Sequence, residues 1–197
     1  FVGSEPLDPW KDWLTFHKIN EDGGLLSKAF VDARFDFYGK ALTGAEVVRP
    51  RWQRGVDLTS ASLGDAVGKI YVQKYFPPDT RAKVEAMVRD LVQAFNARID
   101  ALTWMTPETK VKAKAKVASL KVGVGYPDTW RDYSSLSIVK GDALGNADRA
   151  DLFEYKHQLA KLSAAPDKGE WWMTPQTVNA VNLPVQNALN FPAAILQ

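Results

Sequence analysis

The two histidines of this 197-residue chain, His17 and His157, are the first candidates for metal binding or catalysis. Neither has a second histidine three or four residues away, and the chain has no cysteine, so neither belongs to a recognisable zinc motif. No serine lies in a nucleophile-elbow pattern, which leaves a Ser-His-Asp triad without support. We therefore expect structural roles for both histidines.

A basic run from Lys110 to Lys121 is the second candidate, as an anion-binding surface. Alternate lysines on a helix spread over two faces, so a solvated helix face is the favoured interpretation. The 25 Lys and Arg against 23 Asp and Glu give a net charge of +2, which argues against a nucleic-acid-binding protein. Gly123 and Gly125 lack the further residues that phosphate-binding loops require.

The third candidate is Asn179 with Ala180, in a segment of alternating residues, 177–182. Such a segment predicts a β-strand, and a peptide can add to an exposed strand edge through main-chain hydrogen bonds. An asparagine side chain both donates and accepts, so Asn179 could hold a peptide group. The alternative is that Asn179 and Asn182 simply face solvent, and the spacing alone favours that alternative.

Helical signals dominate the residues before this strand. The clearest helix has apolar residues at spacings of three and four from Val84 to Leu102. Asp8-Pro9 and Thr106-Pro107 are typical helix starts. Further helices are predicted over 25–38, from about 63, and over 150–162, whereas 126–150 carries few signals.

The C-terminal residues predict a β-hairpin, with a turn at Leu183-Pro184 and a second strand over 187–191. A lone hairpin is marginal in water, so we expect it to join a sheet that is not in this chain. The fold class predicted is mainly α, with a helical body of residues 1–170 followed by a hairpin within 171–197.

Both ends suggest a piece of a larger protein, because Phe1 stands where a start would have Met and the chain closes on the apolar run 191–197. An open strand edge is prone to association, so we expect this chain to self-associate or to bind its missing part. No apolar run approaches the length of a membrane helix, and no signal peptide opens the chain.

Ordered motifs along nearly the whole chain resemble the neprilysin family of zinc metallopeptidases, which includes the endothelin-converting enzymes. Each motif is weak alone, but their order and spacing are specific. The motifs are, in chain order, Phe35-Asp36-Phe37-Tyr38-Gly39-Lys40, Pro50-Arg51-Trp52, Gly68-Lys69-Ile70-Tyr71-Val72, Leu102-Thr103-Trp104-Met105-Thr106, Gly125-Tyr126-Pro127, Val178-Asn179-Ala180 and Phe191-Pro192-Ala193-Ala194-Ile195-Leu196-Gln197.

The resemblance implies a two-lobed enzyme in which a helical lobe covers a thermolysin-like catalytic lobe. Residues 1–170 would form the helical lobe and linking segments, and 171–197 the incomplete first hairpin of the catalytic lobe. The family's substrate-binding Asn-Ala pair maps onto Asn179 and Ala180. Val181 and Asn182 stand where many relatives have two aromatic residues, which leaves the neighbouring pocket contacts undefined.

The family's zinc motif, His-Glu-x-x-His, does not occur in this chain. The resemblance therefore implies zinc in the intact enzyme, peptide substrates, and a remaining C-terminal part as partner, with no zinc and no hydrolysis in this chain alone. It also implies an extracellular or periplasmic protein, membrane-anchored in some members, and the absence of cysteine favours a bacterial origin. The alternative function is a non-catalytic helical module that binds peptides.

Overall fold

A computed structural model describes residues 3–197 and shows a mainly helical chain with one small sheet. This confirms the predicted fold class. No helix among the described residues combines the length and apolar character that crossing a membrane requires. The helices are α1 Leu7–Asp22, α2 Lys28–Arg34, a π-helix Phe35–Ala41, α3 Arg51–Ser62, α4 Gly64–Tyr75, α5 Pro78–Ala101, α6 Pro107–Ala118, α7 Ala143–Lys161 and a terminal 3₁₀-helix Ala193–Leu196.

The chain divides into two compact units. One contains residues up to 58 together with 136–156, and the other contains 59–135 together with 157–197. The predicted division at residue 170 concerns the lobes of a larger enzyme, and it stays a prediction.

In the first unit, α1 is tied to α7 by Lys18, whose Nζ lies 2.7 Å from Asp148 Oδ1 and 3.0 Å from Asp22 Oδ1. These two hydrogen bonds, the one to Asp148 first, raise the pKa of Lys18. The start of α1 differs from the expectation. Asp8 lies inside the first turn and pairs with Lys11 at 3.1 Å, and no side chain caps the helix.

Three predicted helix boundaries were wrong, and one of them is the start of α7, which begins at Ala143 and not at residue 150. A helix was predicted only from about residue 63, whereas residues 51–62 already form α3, which the sequence analysis did not predict. The helix predicted over 25–38 is α-helical only to Arg34 and continues as the π-helix. There the Phe35 ring lies so close to Gly39 that a Cβ on this glycine would be 2.4 Å from a ring carbon.

In the second unit, α5 and α6 form where the local signals placed them. Pro78 occupies the first turn of α5, and Thr106 caps α6 by accepting a hydrogen bond at 3.3 Å from the Thr109 N–H. Lys110 and Lys114 then bind the end of α5, at 2.7 Å to the Asp100 carbonyl and 2.6 Å to its carboxylate.

The sheet has the order β1-β3-β2, with β1 Lys121–Gly125, β2 Val181–Leu183 and β3 Ala188–Pro192. Strand β1 runs parallel to β3, and β2 runs antiparallel to it. The expectation that the hairpin joins a sheet outside this chain was therefore wrong, because β1 supplies a third strand. The local sequence of β1 is a short apolar run between a helix and a glycine, which does not distinguish a strand from a helix end.

A small core lies beside the sheet, built on Val72, Phe76 and Ala193. The Phe76 ring packs against Gly125, whose φ of +80° favours glycine and whose Cβ would lie 2.4 Å from the ring. The next residue, Tyr126, meets the Phe76 ring edge-on at 6.2 Å and stacks on Trp130 at 5.7 Å between ring centroids. The core thus fixes the C-terminal end of β1, and through β3 it fixes the hairpin.

Candidate substrate-binding strand

Asn179 and Ala180 lie immediately before β2, outside the paired residues of the strand. The Asn179 N–H donates to the Thr177 carbonyl at 3.0 Å, and the Asn179 side-chain Oδ1 accepts from the Ala180 N–H at 2.8 Å. The predicted strand over 177–182 therefore begins only at Val181. The two local hydrogen bonds hold the preceding residues in a turn, which competes with strand formation.

The segment that leads into this turn is anchored on α4. Pro175 is fully buried, its carbonyl accepts from the Ala194 N–H at 2.9 Å, and Gln176 Nε2 donates to the Gly64 carbonyl at 3.2 Å. A Cβ on Gly68 would lie 2.6 Å from Pro175 Cδ. Because Gly64 and Gly68 are four residues apart, they share one helix face, and their missing side chains let the segment lie directly on α4.

Strand β2 is an edge strand. One side pairs with β3, in the register Val181 to Asn190 and Leu183 to Ala188, and no strand of residues 3–197 pairs with its other side. Asn182 is exposed between the half-buried Val181 and Leu183, which matches the alternation of a strand with one covered face. An extended peptide can add to such an edge through main-chain hydrogen bonds.

Asn179 is exposed at the entrance to this edge. Because its Oδ1 already accepts from Ala180, the Nδ2 group is the part of the side chain that remains to donate. Ala180, the next residue, is half-buried and carries only a methyl group. The arrangement can therefore offer one side-chain donor beside a row of strand N–H and C=O groups.

Asn187 positions this hairpin, and the sequence analysis did not single out its role. It has a φ of +51°, and its Nδ2 donates to the Lys116 carbonyl and to Ser119 Oγ. The sequence analysis placed Asn187 at the start of the second strand, whereas it ends the turn; asparagine tolerates the left-handed conformation better than most residues do, so its residue type was a usable signal.

The described residues do not fit a zinc ion, because no group of three His, Cys, Asp or Glu in 3–197 could hold a metal. His17 instead packs on Trp13, with ring centroids 4.2 Å apart. His157 Nε2 lies 3.4 Å from Glu170 Oε1, which also accepts from Lys161.

Comparison with curated proteins shows relatives that are peptidases. The profile of Peptidase family M13 matches residues 1–127. Neprilysin-3 of Drosophila melanogaster is 32% identical over 193 residues, and endothelin-converting enzyme 1 of Homo sapiens is 29% identical over 193 residues. Each alignment covers 94% of this chain but only 24% and 25% of the relative. The chain thus spans about a quarter of the length of these relatives.

Solved structures give the same result. Mycobacterium tuberculosis zinc metalloprotease Zmp1, in complex with an inhibitor, superposes with a TM-score of 0.89 and 44% identity over 98% of this chain and 29% of that chain. PepO from Lactobacillus rhamnosis gives a TM-score of 0.78 and 27% identity, covering 95% of this chain and 30% of that one. With the family profile matching well over half of its residues, the chain belongs to peptidase family M13.

Proposed function

We propose that this chain is part of a zinc-dependent endopeptidase that hydrolyses peptides, and that it supplies helical cover and a substrate-binding edge strand. Family membership supports the peptidase class. The similar Mycobacterium tuberculosis protein is described as a zinc metalloprotease, which supports zinc in the intact enzyme. The observation that carries the binding role is the edge of β2 that pairs with no strand of the described residues, 3–197, and that lies beside the exposed Asn179.

In this proposal the substrate is an extended peptide that lies along β2. Main-chain groups of β2 bind the peptide backbone, and the Asn179 Nδ2 donates to a peptide carbonyl, while Ala180 leaves space for the chain to pass. Such contacts are independent of substrate side chains, so they orient many peptides in one register. The zinc-bound water of the intact enzyme would supply the nucleophile, and its ligands come from outside this chain.

The lobe assignment belongs to the same proposal. Residues 1–170 form the helical lobe with its linking segments, and residues 171–197 form the first hairpin of the catalytic lobe. Strand β1 is then a linking segment that enters the sheet, because it pairs with β3 along its whole length.

The experiment compares the full-length gene product with the 197-residue chain. We expect the full-length protein to contain one zinc and to cleave peptides, with loss of cleavage on chelation, and we expect neither property in the 197-residue chain. A full-length protein that binds peptides without cleaving them would favour the alternative, a non-catalytic peptide-binding module. Peptide cleavage or stoichiometric zinc in the 197-residue chain would contradict the proposal.

We also propose that the intact protein works outside the cytoplasm of a bacterium. A similar mouse protein is named membrane metallo-endopeptidase-like 1, which supports a membrane-associated or exported location. The absence of cysteine is compatible with either redox environment and favours bacterial origin over the disulfide-rich animal members. Cell fractionation with an antibody against this chain tests the location.

A further inference from the structure

The connection that follows α7, residues 162–169, is exposed along its whole length. No other connection between helices or strands of residues 3–197 has an equally long run of exposed residues. Apart from Leu162, which is 83% exposed, its side chains belong to Ser, Ala, Pro, Asp, Lys and Gly. Small and charged residues of this kind gain little free energy from burial, so the composition does not call for a covering element. We call residues 162–169 the exposed loop.

The exposed loop is held only by its own residues and by the turn next to it. The Ala164 N–H donates to the Lys161 carbonyl at 3.2 Å, and the Glu170 N–H donates to the Asp167 carbonyl at 3.3 Å. In the described part of the chain, each hydrogen bond of the loop has its partner within residues 159–170. Lys161 Nζ donates to Glu170 Oε1, so the two ends of the loop stay together when its middle opens. A protease that binds its substrate as an extended strand can therefore take up the loop without disturbing another element.

A second exposed stretch, residues 137–141, is tied to the helix that follows it. The Asn146 carboxamide binds both backbone groups of Val139, accepting from the N–H and donating to the carbonyl, each at 2.8 Å. Arg149 Nε donates to the Ser137 carbonyl at 3.0 Å. These hydrogen bonds must break before the stretch can enter a protease, whereas the exposed loop has no such bonds to the rest of the described chain.

The residues after the exposed loop are bound to residues far before it, within the second unit. Strand β3 pairs with β1 over five residue pairs. Ala193 is fully buried against Val72 and Phe76, and Pro175 is fully buried beside Gly68. None of these contacts passes through the loop, so breaking one peptide bond in the loop removes a covalent link and leaves the contacts in place.

We propose that the exposed loop is a site of limited proteolysis for a protease that accepts small residues, and that the cleaved protein stays assembled through β1, β3 and the core beside them. The bond between Ala164 and Ala165 has a small residue on each side. Its hydrolysis breaks the C–N bond, and water supplies the hydroxyl of the new carboxyl group and a hydrogen of the new amino group. The inference goes beyond the proposed function and does not depend on it, because another protease makes the cut.

The test is limited proteolysis of the full-length gene product by neutrophil elastase, a serine protease that cleaves after alanine and valine. Both stretches offer it such a residue, Ala164 in the exposed loop and Val139 in 137–141. Cleavage sites and rates are measured by mass spectrometry, and a sample without elastase corrects for cleavage by the protein itself. We expect the first cut within residues 3–197 to fall in the exposed loop, about tenfold or more faster than in 137–141, because cleavage follows the population of the opened loop.

Asn146→Ala is the matched variant. It removes the tie of Val139, so it should speed cleavage in 137–141 and leave the rate in the exposed loop unchanged. A first cut elsewhere in residues 3–197, no cut, or equal rates in the two stretches of the parent protein would overturn the inference.

Assembly after the cut is measured by gel filtration. We expect the two fragments to elute together in native buffer and to separate in urea, and separation in native buffer would overturn the inference. Asn187→Ala, which loses the tie of the hairpin to Lys116, should lower the urea concentration at which the cut fragments separate. Asn182→Ala, exposed on β2, is the control and should leave that concentration unchanged.

Equal urea concentrations for the two variants would show that this sheet does not hold the fragments, which would also overturn the inference. A full-length protein without peptidase activity would lose the proposed function and leave the expected cut and the assembly of its fragments unchanged. An active enzyme that elastase does not cut in the exposed loop would have the opposite meaning.

Discussion

The side-chain Nδ2 of Asn187 lies 2.8 Å from the carbonyl oxygen of Lys116, which ties the turn of the β2–β3 hairpin to the last turn of α6. The same Nδ2 lies 3.0 Å from Ser119 Oγ, and the Asn187 carbonyl accepts from the Lys121 N–H at 3.0 Å. A helix C-terminus leaves carbonyls without internal partners, and Asn187 satisfies one of them. One residue thus connects the end of α6, the start of β1 and the hairpin.

We expect Asn187→Ala to destabilise the sheet by about 2–3 kcal/mol, from lost hydrogen bonds and from the cost of a left-handed alanine. Asn187→Gly keeps the φ of +51° accessible and loses only the hydrogen bonds, so it should cost less. Native-state hydrogen exchange at the amides of β1 and β3 measures both effects. Equal costs for the two variants would show that backbone strain at this turn is unimportant.

Gly68→Ala should destabilise the protein, because its Cβ would lie 2.6 Å from Pro175 Cδ. Overpacking of this kind costs about 1–3 kcal/mol, and the segment before Asn179 must shift to relieve it. Gly55→Ala, in another helix, is the matched control, because a Cβ on Gly55 would meet nothing within 4 Å. This substitution should stabilise the protein by up to about 1 kcal/mol. The thermal midpoints of both variants are compared with that of the parent. A Gly68→Ala protein as stable as the parent would contradict the predicted overpacking against Pro175.

Asn179→Ala in the full-length enzyme should lower kcat/KM for peptides about tenfold, since one hydrogen bond to substrate is worth about 1.4 kcal/mol. Asn179→Asp is more specific, because an aspartate can still accept from the Ala180 N–H but cannot donate to a substrate carbonyl. It should therefore lose activity while keeping the turn. Asn182→Ala, on the exposed face of β2, is the control and should change kcat/KM less than twofold. Wild-type kinetics in Asn179→Asp would exclude a donor role for this side chain.

Asp142 should make part of the stability of the first unit depend on pH. The hydrogen bond from Arg149, at 2.9 Å, and then that from the Gly145 N–H, at 3.0 Å, lower the pKa of Asp142 below its ordinary 3.8. The stabilisation is therefore present above pH 3.8 and is lost as the pH falls through the lower pKa of the folded state.

The measurement is the thermal midpoint between about pH 6 and pH 2. Asp142→Asn should flatten the acid part of the curve relative to the parent protein. Asp151→Asn, exposed on α7 and without an ion-pair partner in the described part of the chain, should leave that part unchanged. If Asp142→Asn and the parent gave identical curves of thermal midpoint against pH, Asp142 would not contribute to the pH dependence of stability.

Local signals in the sequence were sufficient for several elements. Helix α5 follows from apolar spacing and from Pro78 in its first turn, and the start of α6 follows from the Thr106 cap. These elements are determined by residues within a few positions of one another. The family follows from the order of weak motifs along the chain, and the comparisons confirm it.

The sequence by itself thus determined the helical class, the family and the approximate place of the hairpin. Only the tertiary structure decided that β1 is a strand, because its partner β3 lies far along the chain and its own residues suit a helix end equally well. It also decided that Asn179 lies in a turn and not in the alternating strand. The reason is that the buried Pro175 and the glycine face of α4 hold the residues before it, and hydrogen bonds within the turn replace those of a ladder.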